Sequence, residues 1–519
     1  MDILLLSTPA QHTAENLDVI LDPKSLIKWI DKLPIMNLPE TVKLLHTSIS
    51  SLNELMVSDK QRLKLIEIYY DSLQDILVSY DEMRISMLQI EAQKRNELRE
   101  DIMWLYLSLA GGYKLIIKNA FEKGMLNSKE SNLLTIYIAM ELIIEGLVYG
   151  YSSHQTPPPL ARLEINQLYA LAMHNDISEK EIKGTRGHEQ PPTLSRLFKQ
   201  YILLTISNPY QLNSSDVLEL FMFLEPIVDD CVIELNGSPE PPEGRFIIDL
   251  SADVGPISCC QQELSPETND LLVIDVWPII NVLGLMVSEH KKEESIIAVQ
   301  QQHMIEIVIE QLGRKSMRKS KRESVLVETQ VIMGIEAVHH NLSKSRTGNS
   351  EVIDYSGVDK YPVSKWMIKN RNESGYMLET YKENIRSNII VGDVIGFPVK
   401  YSETECPFQF SIVRWIQHIQ NNMVQIGAES LPGITLPIFY KVESDYGVVV
   451  DDGTQLLGLY FPADIKTHTP ESILINKQEY RQNQSIILEN NSRMYKVNIT
   501  ALLRNSPLFV QLKFKKKEN

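Results

Sequence analysis

The sequence predicts an α+β multidomain protein, in which an all-α helical N-terminal domain is followed by an antiparallel β-barrel and a second C-terminal β domain or extension. Three observations support this fold class. The chain has 519 residues, more than one hydrophobic core usually holds. Apolar residues recur at helical spacing over about the first 300 residues. After about residue 323 the period changes to two, which is typical of strands.

Helix start signals define the N-terminal part. Asn37 stands where an N-cap is expected, with Pro39 in the first turn and Glu40 three residues after Asn37. A second start signal begins at Ser58. Further helical patterns cover about residues 100–121, 129–150, 160–175, 193–206, 214–224 and 275–311. No fixed repeat length relates these helices, so a plain bundle and a helical layer with a protein-binding groove both fit the pattern.

The most apolar helical stretch, Leu133 to Tyr151, is predicted to be a buried helix of a bundle. Glu141 and Glu145 lie near its middle, where each carboxylate would cost about 3 kcal/mol in a bilayer. The chain begins with Met1-Asp2 rather than with a basic segment, so a signal peptide is not predicted. We therefore expect no membrane insertion.

Alternating polarity defines the C-terminal strands. A first set is predicted at residues 324–335, 364–368, 376–380, 393–399, 409–416 and 423–429. A second β segment begins after Leu431-Pro432-Gly433, with a hairpin signal from Val448 to Phe461 and later strands near 484–489, 494–500 and 508–514. Short strands at regular intervals indicate a barrel or a sandwich.

Composition shifts suggest the domain boundaries. We expect a helical domain at 1–235 and a loop with a connecting helix at 236–310, in which residues 236–270 are irregular. A β-barrel with an arginine-rich N-terminal segment should cover 311–430, and a C-terminal β domain 431–519.

The charge balance limits the possible partners and location. Lys and Arg total 51 against 67 Asp and Glu, which gives a net charge of −16. This argues against a general nucleic-acid binder, which needs broad positive surface. The 4 cysteines are too few for a disulfide framework at this length, so a reducing compartment and a cytoplasmic location are expected.

The junction between the two halves has an unusual charge. Residues 314–322 contain six positive side chains and no acid: Arg314, Lys315, Arg318, Lys319, Lys321 and Arg322. One interpretation is a solvated linker. The other is a clamp for a small anion, because an arginine fork can bind a phosphate or the edge of guanine with two hydrogen bonds.

Polar residues downstream favour the second interpretation. The segment from Asn370 to Gly375 (Asn-Arg-Asn-Glu-Ser-Gly) closes a predicted strand. An asparagine there can hydrogen-bond a base or a ribose, and a glycine lets the backbone approach a ligand closely. Ile412 to Trp415 and Ile426 to Glu429 form a later strand pair, with a tryptophan at the end of its first segment.

These residues resemble the PilZ family of cyclic di-GMP receptors over residues 311–430. That family pairs an R-x-x-x-R segment before its barrel with a D/N-x-S-x-x-G motif at the end of an early strand. R-x-x-x-R occurs as Arg314 to Arg318 and again as Arg318 to Arg322, so either pair could be used. The second motif is matched by Asn370 and Gly375, while Asn372 stands at the usual serine position. The interval from Arg322 to Asn370 is long, and its polar part at about 341–360 looks like an inserted loop.

The resemblance implies a non-enzymatic receptor that binds cyclic di-GMP as its ligand and needs no cofactor. The implied ligand-binding residues are Arg314, Arg318, Arg322, Asn370, Asn372 and Gly375. Ligand binding would order the arginine-rich hinge and reposition the helical domain for an unidentified protein partner. The alternative is an adaptor or scaffold whose degenerate barrel does not bind nucleotide.

Catalytic and metal sites are not predicted. His339 and His340 are adjacent in a segment read as a strand, where they would point to opposite faces and could not easily share a metal. The Glu141 and Glu145 pair lacks a matching Glu-x-x-His helix. Since no nucleophile or general base is indicated, the protein is not expected to be an enzyme.

Overall fold

A computed structural model describes most of the chain. The described residues are 3–13, 19–83, 92–126, 130–183, 191–261, 271–290, 296–313, 322–346, 361–399, 408–431, 433–442, 456–464, 469–480, 485–490, 493–506 and 508–516. The chain divides into two compact units, Met1–Arg318 and Lys319–Asn519.

The first unit is mainly helical. Its helices are α1 (Pro23–Ile30), α2 (Leu38–Glu54), α3 (Asp59–Met83), α4 (Ala92–Glu122), α5 (Glu130–Ser152), α6 (Ala161–His174), α7 (Leu194–Ile206), α8 (Ser214–Leu224), α9 (Trp277–His290) and α10 (Ile296–Leu312). Asn37 precedes α2 as predicted, and its side chain donates to Glu40 at 2.7 Å. One hydrophobic core runs through these helices, so the unit packs as a bundle rather than as separate pairs.

Helix α5 lies in this core. Its segment Asn132–Ser152 is, within the described residues, the one helix long and apolar enough to cross a membrane, yet 72% of its most apolar window is buried in the protein. Glu141 accepts a hydrogen bond from the Tyr70 hydroxyl at 3.0 Å, which satisfies a polar group inside the bundle. These contacts agree with the predicted core helix.

A small sheet completes the first unit. Its strands are β1 (Val232–Leu235), β2 (Arg245–Asp249), β3 (Ile257–Ser258) and β4 (Leu271–Asp275), in the order β1-β4-β2-β3. The prediction that residues 236–270 are irregular was wrong for β2 and β3. The inner strands are short and have continuous apolar centres rather than alternation, so no period of two marked them.

The second unit contains two closed β-barrels, and its first barrel follows the predicted strands. It consists of β5 (Glu323–Met333), β6 (Ser364–Asn372), β7 (Gly375–Tyr381), β8 (Val394–Pro398), β9 (Phe408–Ile419) and β10 (Met423–Ser430). All neighbouring strands are antiparallel. An inner cluster of apolar side chains fills the barrel, including the fully buried Trp366 and Phe397.

Helix α11 (Ile335–Arg346) corrects the interpretation of His339 and His340 as strand residues. Gly334 has a φ of +91° and ends β5, after which Val338 N–H donates to the Gly334 carbonyl and starts helical bonding. His339 is buried and its Nε2 lies 3.1 Å from the Ile438 carbonyl oxygen. Ring contact with Tyr361 occupies His340 instead.

The second barrel is built from β11 (Leu436–Val442), β12 (Leu456–Phe461), β13 (Ser472–Asn476), β14 (Ser485–Asn490), β15 (Arg493–Asn505) and β16 (Phe509–Lys516). The turn of the hairpin predicted from Val448 to Phe461 lies outside the described residues. Apolar residues of both barrels, such as Phe410 and Leu459, share a cluster with α11. The two barrels therefore pack on each other through a common core.

Both barrels have the same strand order. Numbering the strands of each barrel one to six along the chain, the closed order is 1-2-3-6-5-4 in both. In each barrel the first strand pairs with the second and fourth, and the third with the sixth. Positions in the two barrels can therefore be compared directly. The predicted α+β fold class is confirmed, with two barrels in its C-terminal part.

Candidate functional site

The predicted ligand-binding residues that the structure describes lie together at one end of the first barrel. Arg322 directly precedes β5, Asn370 and Asn372 end β6, and Gly375 begins β7. The guanidinium Nη1 of Arg322 donates a hydrogen bond to Asn370 Oδ1 at 3.2 Å. Arg314 and Arg318 lie outside the described residues. The end of the arginine-rich segment therefore contacts the asparagine of the second motif.

Strand pairing explains this contact. β5 and β6 are antiparallel, with Ser324 opposite Asn370 and Glu323 opposite Arg371. The residue before Glu323 therefore reaches the end of β6. An ion pair of 2.9 Å between Arg371 Nε and Glu323 Oε2 holds the same two strand ends together.

Asn372 stabilises the tight connection between β6 and β7. Its Oδ1 accepts hydrogen bonds from the Ser374 backbone N–H at 3.1 Å and from the Ser374 hydroxyl at 3.0 Å. This is an Asx turn, a conformation that asparagine and aspartate favour. Asn370 adds a contact from Nδ2 to the Met377 sulfur at 3.1 Å. The asparagine at the usual serine position thus has a defined structural role.

Gly375 is required by the neighbouring strand. A Cβ atom at this position would lie 2.3 Å from the Ala428 carbonyl oxygen of β10. The Ser430 N–H donates to the Ser374 carbonyl at 2.9 Å, which ties the hairpin to the end of β10. The sequence predicted that this glycine admits a ligand; the structure shows that it is needed for packing against β10.

Trp415 and Gly427 form a packing pair in the third motif element. The two residues are opposite each other in β9 and β10, next to a register shift between Gly427 and Ala428. A Cβ on Gly427 would lie 1.9 Å from the Trp415 indole nitrogen. The tryptophan ring therefore covers the glycine, which gives this element a packing role between β9 and β10.

Glu429 is the centre of a charged cluster that sequence reasoning did not find. It accepts from Arg414 of β9 at 2.5 Å and from Arg504 of β15 at 2.7 Å. Burial alone would raise the pKa of Glu429, but the two arginines outweigh burial and hold that pKa below its ordinary value. The cluster joins the two barrels with three charged side chains.

A pocket of about 760 Å³ opens beside this cluster. Its lining includes Asn372 and Ser374 of the β6–β7 turn, Phe408 and Phe410 of β9, and Ile434 and Arg504 of the second barrel. The β6–β7 turn of the predicted motif therefore lies at the end of the first barrel and also lines a pocket between the two barrels. Arg504 is far from the motif in sequence, so only strand register and barrel packing reveal its place.

The histidines, acids and cysteines considered for metal or redox chemistry do not form such a site within the described residues. Within the described ranges, no group of three or more His, Cys, Asp or Glu could hold a metal ion. Burial raises the pKa of the Cys231 thiol to about 12 and that of Cys259 to about 11, so both are protonated near neutral pH. Cys231, Cys259 and Cys260 are free thiols, and Cys406 lies outside the described residues.

Comparison with known proteins finds a family model and a relative that are both named as cyclic di-GMP receptors. A family model described as "Cyclic-di-GMP receptor FimW, N-terminal domain" matches residues 24–240. The chain is similar to a known receptor. "Cyclic-di-GMP receptor FimW" of Pseudomonas aeruginosa is 19% identical over 501 residues, covering 84% of this chain and 81% of that protein. The family model matches the helical unit, whereas the PilZ resemblance rests on residues 311–430, so the two indications come from separate regions.

Proposed function

We propose that this protein is a non-enzymatic cyclic di-GMP receptor of bacterial second-messenger signalling, with its ligand site at the Arg322 end of a PilZ-like first barrel. The observation that carries the proposal is the hydrogen bond from Arg322 to Asn370, since it joins two sequence motifs that are remote along the chain. Similarity to a named cyclic di-GMP receptor supports the choice of ligand. The closed six-stranded order of the barrel is consistent with a PilZ-like domain.

The residues at this end match the chemistry of the ligand, which has two guanines and two phosphates. Arg318, together with Arg322 or Arg314, would bind guanine edges and phosphate oxygens through paired N–H donors. Asn370, Asn372 and the backbone near Gly375 would hold base and sugar from the barrel side. The nucleotide would share or replace the Arg322 contact with Asn370.

The position of the arginine-rich segment suggests how binding is read out. The boundary between the two compact units falls between Arg318 and Lys319, inside this segment. A nucleotide held by Arg318 and by the barrel would order the segment and change the placement of the helical domain for a protein partner. We retain the division into domains at 1–235, 236–310, 311–430 and 431–519, and a cytoplasmic location, as parts of this proposal.

Titration calorimetry with the full chain and cyclic di-GMP tests the proposal. We expect micromolar or tighter binding, which Arg318→Ala weakens about tenfold or more. Arg386→Ala is the matched control, because Arg386 is an exposed arginine near Ser364, at the opposite end of β6. Absence of heat together with an unchanged melting temperature at saturating nucleotide would favour the adaptor or scaffold with a degenerate barrel.

A further inference from the structure

Strand β1 has an open edge. Within the described residues it pairs with β4 alone, in the sheet order β1-β4-β2-β3, whereas both barrels of the second unit are closed. Among the described strands of the small sheet, the other outer strand is β3, which has two residues against four in β1. An open edge presents unpaired backbone N–H and C=O groups to which another strand can bind.

The register identifies the outward groups. Val232 lies opposite Asp275 and Leu235 opposite Leu272, and the Asn236 N–H donates to the Leu271 carbonyl at 2.7 Å. Hydrogen-bonded and non-hydrogen-bonded pairs alternate in an antiparallel ladder. Because Asn236 is hydrogen-bonded to β4, Glu234 and Val232 are too, and the N–H and C=O of Ile233 and Leu235 face outward.

The edge is accessible and carries apolar side chains on both faces. Val232 is 42% exposed and Leu235 is 54% exposed. Ile233, on the same face as Leu235, packs against the core of the helical unit and fixes the strand. Leu235 thus extends the apolar face of Ile233 to the exposed edge of the sheet. Val232 and Glu234 lie on the opposite face, towards solvent.

The surroundings of this edge are acidic. Asp230 and Glu234 are exposed, and the described part of the chain gives neither of them an ion pair. The nearby arginines pair with acids, Arg196 with Asp229 and Arg245 with Asp275 at 3.2 Å, while the half-buried Lys199 lies near Cys231, directly before the strand. The charge complement of this surface is a basic segment.

We propose that β1 is a docking strand for an extended basic segment of a partner protein, which adds to the sheet as a fifth strand. Lysine or arginine would face Glu234, and apolar residues would cover Leu235, so the partner alternates basic and apolar side chains. A second copy of this chain is disfavoured, because pairing β1 with itself would place two Glu234 carboxylates on one small sheet face. This inference specifies the partner half of the proposed function and uses no residue of the nucleotide site.

A labelled heptapeptide of alternating lysine and valine tests the docking strand by fluorescence anisotropy with the full chain, without nucleotide. We expect saturable binding that Leu235→Pro weakens about tenfold, because proline removes the outward N–H. The bonds from Val232 and Glu234 to β4 remain, so Leu235→Pro should keep its melting temperature within a few degrees. Leu235→Thr keeps the N–H and is the matched control, with affinity within about threefold of the unchanged protein.

Hydrogen exchange tests the docking strand without a variant, in case Leu235→Pro does not fold. Hydrogen exchange of the unchanged protein should slow at Ile233 and Leu235 when the peptide binds. Equal peptide affinity of Leu235→Pro and the unchanged protein, or no slowing at these amides, would overturn the docking strand. If the unchanged protein sediments as a dimer and Leu235→Pro as a monomer, the partner of β1 is a second copy of this chain. That result would also overturn the proposed docking of a basic segment. Nucleotide calorimetry on Leu235→Pro should be unchanged, so failure here is distinguishable from failure of the receptor function.

Discussion

The two barrels share a strand order but differ in the chemistry of one connection. In the first barrel, the second and third strands are β6 and β7, joined by a tight turn between Asn372 and Gly375 with Arg322 beside it. The corresponding connection of the second barrel runs from Phe461 to Ser472 and is longer. The two barrels have the same topology but different polar residues at this connection. A binding site therefore depends on the local side chains and not on the barrel fold.

The segments that enter the two barrels differ in the same way. Arg322 ends a run of six cations before β5, whereas Ile434 and Thr435 precede β11. The second barrel therefore lacks a cation where the first barrel places Arg322 against Asn370. We expect nucleotide to bind at the first barrel only.

The largest expected effect is on cyclic di-GMP affinity, which should depend on a residue of the first barrel and not on one of the second. Arg322→Ala should weaken cyclic di-GMP binding about tenfold or more, since a bidentate arginine contact contributes about 1–3 kcal/mol. Asp464→Ala, in the equivalent connection of the second barrel, should leave affinity unchanged. Titration calorimetry measures both, and a loss in Asp464→Ala equal to that in Arg322→Ala would break the distinction between the barrels.

A second contrast concerns glycines next to a neighbouring strand. Gly375→Ala places its Cβ 2.3 Å from a β10 carbonyl oxygen, so the first barrel should lose about 1–3 kcal/mol of stability. Gly458 in β12 has its nearest neighbours at 3.2 Å, and Gly458→Ala should cost less than about 1 kcal/mol. Calorimetric melting compares the two variants, and equal shifts would contradict the close approach at Gly375.

Asp393 is a buried acid of the first barrel whose ionisation should make stability depend on pH. Burial raises the pKa of Asp393 to about 7 from an ordinary 3.8, although the Val394 N–H at 2.7 Å lowers it. The folded state therefore holds a proton that the unfolded state has released, so stability falls as pH rises from 3.8 towards 7. Asp393→Asn should remove this loss and stabilise the protein by about 1–2 kcal/mol at pH 8.

Melting temperatures at pH 5 and pH 8 test this prediction. The advantage of Asp393→Asn over the unchanged protein should be larger at pH 8. Asp464→Asn, at a half-buried position of the second barrel, is the matched control and is melted at the same two pH values. A gain for Asp393→Asn that is equal at both pH values would exclude titration of Asp393 as its cause.

The smallest effect should come from the charged seam between the barrels. The pKa of Glu429 is held below 4.5 because Arg414 and Arg504 outweigh its burial. Its contribution to stability is therefore present above pH 4.5 and lost as pH falls through the depressed folded-state pKa. Glu429→Gln should cost about 0.5–1 kcal/mol at pH 7 and nothing below that pKa. Urea unfolding measures this, with the exposed Glu383→Gln as control; a cost that persists at low pH would point to packing instead.

Sequence patterns predicted the parts of the fold that have a clear period. Strands with alternating burial, such as β5 and β6, and the helices of the first unit with their apolar stripes could be placed approximately. The strands β11 and β13 of the second barrel were not predicted, and the continuous buried run of β13 offers no alternation to detect. Helix α11 was missed because Ala337, Val338 and His339 follow a strand directly and only the positive φ of Gly334 separates them. Short strands with a continuous buried centre, such as β2, have no alternation to detect.

The candidate site was predictable only in part. Arg322 and Asn370 could be paired because each belongs to a recognisable motif. The place of Arg504 depends on how the second barrel packs against β10, and no local pattern contains that information. The Asx turn of Asn372 and the close approach of Gly375 to Ala428 likewise required the register between strands.

Hydrogen exchange of the full chain, with and without cyclic di-GMP, addresses the central claim in one measurement. If the arginine-rich entry and the β6–β7 turn grip the nucleotide together, amides at residues 322–324 and 370–376 should exchange more slowly in its presence, while those between β12 and β13 remain unchanged. Slowing confined to the second barrel, or identical exchange throughout at saturating nucleotide, would contradict the account.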